Sequence, residues 1–398
     1  MKKVAFIPCG VLPIPATKGG AVENLVQQLL DKNELHGEYE MIVYSPYERK
    51  AQVCSKKYSN TTFVFIQLDG IKHKIQTALY RLWGMFKTKL SGYDFQNYFL
   101  RQIIKDIRTR GHIDVIVLEN APKYSIELRK NFPDSRIVQH YHNIPEEKSI
   151  SASIDKCTDY YFCISKFIKQ EVMEIFNAND SKAKLFYNCI DIDRFYQAIG
   201  DEREKIRGKI GLKREDFVVI YTGRLQPYKG IKELLIGISH IQNSQIKLLI
   251  VGGSFYSGAK KSSFIKELEN VAQQLGNRVV FTGFIPYDTI PDYYAIADIA
   301  VVPSLWEEPF ALTALEAMAA GLPVIATKTG GLPEVVNEHC AILLNADDKL
   351  SDKISDAVSF MYSDIKYRER MSVEARKRAI SFTIDNYWNN FKHLIQSI

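Results

Sequence analysis

Two carboxylates stand eight positions apart in the stretch "PSLWEEPFALTALEAM", residues 303–318: Glu308 and Glu316. The stretch reads as the end of a strand running into a helix. Pro309 suits the first helical turn, where its missing N–H is not needed. The amides of Phe310, Ala311 and Leu312 would then be free to meet an anion. A carboxylate directly beside a phosphate would be repelled, so Glu308 and Glu316 are better used as acceptors for hydroxyl groups, of the kind sugars and ribose carry. A charged hydrogen bond of that type contributes roughly 1.5–3 kcal/mol. The bland alternative is one acid favoured by a helix start and a second facing solvent.

Other residues carry complementary chemistry. In "YTGRLQPYKGIKELL", Arg224 and Lys229 lie on a loop flanked by Gly223 and Gly230, between a strand and a helix. Two cations there can clamp a diphosphate, Arg with a planar fork and Lys as a point charge. Gly19 and Gly20 follow the first strand and precede a helix from about Ala21. Bare amides at a helix start suit a phosphate, and a simple turn is the alternative. The spacing is not GxGxxG, which argues against a dinucleotide dehydrogenase. His142 ends the strand "RIVQHYH", and His140 shares its face. A strand-end histidine is more often structural than catalytic. The "DID" at 191–193 imitates a metal motif, but its place before a linker argues against that use. Cysteines 9, 54, 157, 163, 189 and 340 form no CxxC pair and no metal-spaced cluster with histidine, so no metal site is expected. Scattered thiols of this kind suggest a reducing, cytoplasmic setting.

These residues need a scaffold at the right period. The first half offers the strands "KVAFIP", "MIVYS", "TFVFIQ", "DVIVLE", "RIVQHYH", "YYFCIS" and "KLFYN"; the second offers "FVVIYTG", "IKLLIVGG", "RVVFTG", "DIAVVPS" and "PVIAT". Doubly apolar runs separated by helical patterns imply parallel sheets, and two such series imply two doubly wound α/β domains. The 398-residue length agrees with two domains. The polar segment "QAIGDEREKIRGKIG", 197–211, is the expected boundary, giving domains 1–198 and 199–380. Residues 381–398 read as a final helix, with Tyr387, Trp388, Phe391 and Ile395 at helical spacing, packing back toward the N-terminal domain. The opening "MKKVAFIPCG" has too short an apolar run for a signal peptide and reads as a buried strand. No apolar run approaches the ~20 residues of a membrane span.

The net charge of +6 lies wholly in the first half, where 28 basic residues face 22 acidic ones; the second half has 24 of each. No nucleic-acid motif accompanies the bias, and nucleic acid is not expected as a partner. Residues 72–90, "KHKIQTALYRLWGMFKTKL", carry five Lys or Arg and no acid, with Ile75, Leu79, Leu82 and Phe86 at helical spacing beside Trp83. Two readings stand level: a peripheral helix on an anionic membrane at the inner face of the cell membrane, and a core-packed helix with a solvated basic face.

The pieces "KGGAVENL", "HYHNI", "YTGRLQPYKGI", "VVFTGFIP", "ADIAVVPSLWEEPFALTALEAMAAGLPVIAT" and "GGLPEVV" together resemble the retaining GT-B glycosyltransferases of family four, the glycogen-synthase-like group 1 transferases. The likeness is strongest from Phe217 to Val336. It implies a GT-B fold, two Rossmann-like domains facing a central cleft, the first binding an acceptor and the second a nucleotide diphosphate sugar, most commonly UDP-linked, with no cofactor or metal. It implies that Glu316 holds ribose hydroxyls and Glu308 faces the sugar. Arg224 and Lys229 would clamp the diphosphate, Gly20 would close on the phosphate, and His142 would point at the sugar. The acceptor would be a saccharide, including a lipid-linked one, in surface polysaccharide or glycoconjugate assembly. The other readings are a non-catalytic GT-B partner subunit and another GT-B-like enzyme such as a nucleotide-sugar epimerase. Two departures from the family stand out. Glycine is usual where this chain has Ala311, and Asn-Gly is usual at Asn188-Cys189. A left-handed backbone at Cys189 would cost about 1 kcal/mol.

Overall fold

A computed structural model describes residues 1–68, 95–253 and 263–398. The basic stretch 72–90 lies outside the described residues. The chain divides into two compact units. One comprises Met1–Tyr187 with Tyr387–Ile398; the other comprises Asn188–Asn386.

The first unit is built on seven strands: β1 (Lys3–Pro8), β2 (Glu40–Pro46), β3 (Thr61–Ile66), β4 (Val115–Glu119), β5 (Arg136–Tyr141), β6 (Tyr160–Cys163) and β7 (Ala183–Leu185). They pair in parallel in the order β3-β2-β1-β4-β5-β6-β7. Helices cover both faces, so the central strands β1 and β4 are buried nearly throughout and apolar apart from the end residues Lys3 and Glu119. The helix Phe95–Arg110 shows how the sequence period is used. Phe99, Ile103 and Ile107 recur every four residues and are fully buried against Ala5, Ile7, Ile116 and Leu118. The final helix, Ile384–Gln396, buries Tyr387, Trp388, Phe391, Leu394 and Ile395. Within the first unit, Tyr387 stacks on Phe186 at 4.3 Å and Phe391 lies 5.9 Å from Phe6.

The second unit has six strands: β8 (Phe217–Thr222), β9 (Ile246–Val251), β10 (Val279–Gly283), β11 (Ile299–Val302), β12 (Val324–Thr327) and β13 (Ala341–Leu344). They are parallel, in the order β10-β9-β8-β11-β12-β13. All five strands expected in this half are present. β13 was not anticipated: it is a four-residue edge strand, "AILL", only partly buried beyond its first residue.

The polar stretch expected as a linker is instead structured within the second unit. Residues Gly200–Lys209 form a helix whose Arg207 is 2% exposed. Its guanidinium donates to the carbonyls of Ile296, Lys213, Arg214 and Asp216 and to Asp298 Oδ2 at 3.0 Å. One basic residue of this helix is thus a buried donor fork, while Asp201, Glu202, Lys205 and Lys209 are exposed.

Both sheets reverse their winding once. The reversal falls between β1 and β4 in the first unit and between β8 and β11 in the second. Ligand crevices of open α/β sheets form at the carboxyl ends of strands at such points. Two sets of residues follow from this rule, one in each unit.

Candidate active site

In the second unit β8 delivers the loop Gly223–Gly230 and β11 delivers Pro303–Ala311. The two loops are laced together. The Leu305 amide donates to the Tyr228 carbonyl at 2.9 Å. Gly230 has a left-handed φ of 68°, and a Cβ there would lie 1.8 Å from the Pro303 carbonyl oxygen, so only glycine permits the approach. Its neighbour Lys229 thereby reaches Glu308: Nζ lies 2.5 Å from Oε1. Ser304 donates its hydroxyl to the same oxygen. Glu308 is 5% exposed. The Lys229 ammonium also sits 5.1 Å from the centre of the Trp306 ring, which itself packs 5.3 Å from Tyr228. The backbone of Glu308 is fixed from the other side by the Gly330-Gly331 pair. Gly331 N–H donates to the Glu308 carbonyl at 2.6 Å, and a Cβ on Gly330 would fall 2.3 Å from that oxygen. Lys229 is therefore a partner of Glu308, a pairing that the sequence did not indicate. Arg224 is exposed and has no ion-pair partner among the described residues.

The helix that carries Glu316 runs from Leu312 to Ala319. It starts later than expected, and Pro309 precedes it rather than occupying its first turn. Ala311 is the N-cap, with φ 60° and ψ 68°. This is where the backbone strain sits. Cys189 is buried but is not among the residues of positive φ. This chain makes a left-handed cap with an alanine at a cost of about 1 kcal/mol. The amides of Ala311, Leu312 and Thr313 have no hydrogen-bond partner among the described residues. Thr313 thus joins the expected pair. Phe310 lies before the cap, with its ring buried 5.7 Å from Phe382.

Glu316 is held by a residue the sequence reading did not pick out. The Tyr294 hydroxyl, from the helix Ile290–Ala295 just before β11, donates to Glu316 Oε2 at 3.0 Å and accepts from the Thr222 hydroxyl at the end of β8. Burial pushes the Glu316 carboxyl up to about 7, with the Tyr294 hydrogen bond and the Arg194 charge opposing the rise. The signal available was a tyrosine in the apolar run "YYAIADIAVV" that leads into a buried strand. A tyrosine buried that deeply needs a hydrogen-bond partner.

The first unit gathers a second group at its own reversal point. Gly19 and Gly20 both have positive φ, and Gly20 is the N-cap of the helix Ala21–His36, whose first turn holds the buried Glu23. His142 follows β5 and lies beside His140, with ring centres 4.0 Å apart. Both contact a residue the sequence reading missed, Glu119, the last residue of β4. Glu119 Oε2 lies 2.9 Å from His140 Nδ1 and 2.6 Å from His142 Nε2. The β4–β5 register sets Glu119 directly opposite His140, which brings the three together from distant sequence positions. Burial would raise the Glu119 carboxyl, but the two imidazoles outweigh it and hold it down to about 2. Burial and the adjacent His140 push the His142 imidazole below its usual range, against the pull of Glu119 and Glu23. These three residues are the grouping among the described residues with ligand-type atoms close enough, within 4.8 Å, to hold a metal. Their spacing is that of direct hydrogen bonds, since tetrahedral ligands about 2.0–2.2 Å from zinc would stand roughly 3.4 Å apart. The "DID" at 191–193 forms a 3-10 turn in which the Asp191 side chain accepts from the Asp193 amide. Asp191 is thus spent on capping.

Comparison with known proteins fits this geometry. Residues 202–378 match the family of glycosyl transferases group 1. Over 100% of both chains, the structure superposes on Anabaena Alr3699/HepE in complex with UDP with a TM-score of 0.76 at 19% identity. The fold is GT-B. At the level of sequence, the chain is 26% identical over 388 residues to lipopolysaccharide 1,2-N-acetylglucosaminetransferase of Salmonella typhimurium, covering 96% of this chain and 94% of that one. It is 25% identical over 390 residues to spore coat protein SA of Bacillus subtilis, covering 95% of each. Together these findings support a GT-B glycosyltransferase. Among the described residues no helix is long and apolar enough to cross a membrane.

Proposed function

We propose that this GT-B protein transfers a sugar from a nucleotide diphosphate sugar to a saccharide acceptor with retention of anomeric configuration. The observation that carries the reading is the arrangement around the helix Leu312–Ala319. Three amides without a partner among the described residues start it, a carboxylate held by Lys229 and Ser304 precedes it, and a second carboxylate held by Tyr294 lies within it. Amides and cations suit a diphosphate, and buried carboxylates suit hydroxyls. In this reading Glu316 takes the ribose, Glu308 faces the sugar, and Arg224 and Lys229 meet the diphosphate. Lys229 has three N–H donors and uses one on Glu308, which leaves two for phosphate oxygens. Cleavage of the bond from the sugar's anomeric carbon leaves its electron pair on the diphosphate. Positioned donors aimed at such developing charge contribute about 10²–10³-fold each. The protein supplies that charge stabilisation, so chelation with EDTA leaves turnover intact; loss restored by magnesium or manganese would refute this point.

The donor base we propose is uracil. HepE, which shares the fold, was solved with UDP and with UDP-glucose. A role in surface polysaccharide or glycoconjugate assembly is supported by the similarity to a lipopolysaccharide transferase. Gly19, Gly20 and His142 are assigned to phosphate and sugar on the family resemblance. A lipid-linked acceptor, and peripheral contact with an anionic membrane at the cytoplasmic face, rest on residues 72–90 of the sequence. The deciding experiment is a panel of nucleotide sugars with saccharide acceptors, read as nucleoside diphosphate release. Release that depends on acceptor is expected for one donor. A panel in which no donor binds, or release that ignores the acceptor throughout, would refute the reading.

A further inference from the structure

The Glu119–His140–His142 group constrains where its protons lie. One oxygen, Glu119 Oε2, meets a ring nitrogen from each histidine at hydrogen-bond distance. An ionised carboxylate only accepts, so both nitrogens that face it must be N–H. His142 then carries its proton on Nε2 and His140 on Nδ1. The opposite nitrogens, His142 Nδ1 and His140 Nε2, are buried and have no partner among the described residues. With ring centres 4.0 Å apart, two imidazolium charges would repel strongly. The backbone holds the pair as firmly as the side chains do. Asn120 takes a left-handed φ of 49°, its amide donates to the His140 carbonyl at 3.0 Å, and its side-chain oxygen accepts from the His142 amide at 2.8 Å. The other titratable groups acting on the cluster are Glu23, from the helix Ala21–His36, and Cys9, which follows β1.

We infer that Glu119 is the positioning residue for His142, fixing it in the Nε2–H tautomer so that Nδ1 serves as a neutral hydrogen-bond acceptor. A carboxylate that orients an imidazole and selects its tautomer is a general device, and losing it strands the ring in the wrong state. His142 fixed in this way accepts a hydrogen bond from a hydroxyl and adds no positive charge to a leaving group. His140 completes the clamp by occupying the same carboxylate oxygen, which keeps Glu119 ionised and in place.

The consequence for turnover rests on the transfer reading above, while the tautomer itself does not, and the test separates the two. In the full-length ¹⁵N-labelled protein at neutral pH, two-bond ¹H–¹⁵N correlations report which ring nitrogen carries the proton, with His142→Gln identifying the signals. The Nε2–H pattern is expected for His142. Glu119→Gln, which keeps size but presents an amide, should lose the single pattern. It should also lower kcat at least about tenfold while the donor KM changes less than about twofold, a split that general loosening of the fold would not produce. An Nδ1–H tautomer or an imidazolium at His142 in the wild type would overturn the inference, as would wild-type kcat in Glu119→Gln. If that variant does not fold, the wild-type spectrum decides alone.

Discussion

Replacing Glu316 by Gln should make the protein more stable and less able to bind nucleotide, and the gain should depend on pH. Glu316 is 7% exposed, and its carboxyl rises from 4.5 to about 7 because burial penalises the ionised form. The sign follows from linkage. The folded pKa lies above the unfolded one, so the contribution to stability is fully present below about pH 4.5 and is lost as pH rises through about 7. A shift of that size corresponds to about 3 kcal/mol at pH 8 and under about 1 kcal/mol at pH 5. Gln keeps an oxygen to accept the Tyr294 hydroxyl and carries no charge, so the penalty is absent at every pH. Hydrogen exchange of the native full-length protein, read on the helix Leu312–Ala319, measures the effect in the unit that contains the residue. The variant-minus-wild-type difference should grow by about 2–3 kcal/mol from pH 5 to pH 8. A difference flat with pH, or a variant less stable at pH 8, would refute the reasoning. Calorimetry with the bare nucleoside diphosphate supplies the other half. Ribose hydroxyls favour the ionised carboxylate, so wild-type binding should tighten from pH 6 to pH 8, whereas Gln should bind at least about tenfold more weakly at pH 8, with little pH dependence.

Arg224→Ala should lower turnover by about 10²-fold with unfolding unchanged, because the side chain is exposed and unpaired among the described residues; wild-type turnover would remove Arg224 from the clamp. Lys229→Ala should lose activity and about 3 kcal/mol of stability together, since it leaves the buried Glu308 carboxylate uncompensated. The pair Lys229→Met with Glu308→Gln should recover most of that stability in denaturant titrations, and a double variant as unstable as the single one would contradict the pairing. Ala311→Gly should raise the midpoint of thermal unfolding, with a gain of up to about 1 kcal/mol from relief of the left-handed cap; a lower midpoint would place the strain elsewhere.

Strand positions were legible in the sequence because doubly buried parallel strands leave an apolar signature whatever packs on them, whereas the strand order, and with it the two reversal points, came from the structure. The chemistry-bearing loops followed, since they succeed the carboxyl ends of strands in parallel sheets. What stayed hidden were the partners. Glu119 stands 21 residues before His140 in the chain, and only the β4–β5 register places them side by side. Tyr294 meets Glu316 from a separate helix. Arg207 looked like a linker residue because its five acceptors are backbone carbonyls and a distant aspartate, none of which leaves a pattern in sequence. Ala311 shows the reverse case, in which a departure from the family glycine correctly marks a special backbone position while the cost was expected at Cys189.

The two acids eight positions apart differ more in surroundings than in sequence. Glu308 is compensated by a cation and a hydroxyl, and its backbone is pinned by a glycine pair. Glu316 has one neutral phenol on one oxygen and burial around it, which is why its carboxyl climbs to about 7. A carboxylate kept short of partners has unused capacity to accept hydrogen bonds, and ligand hydroxyls that supply them relieve part of its desolvation. On the proposed reading Glu316 is therefore the acid whose hydrogen-bonding capacity ligand hydroxyls would complete, and Glu308 the acid whose place Lys229, Ser304 and the glycine pair already fix.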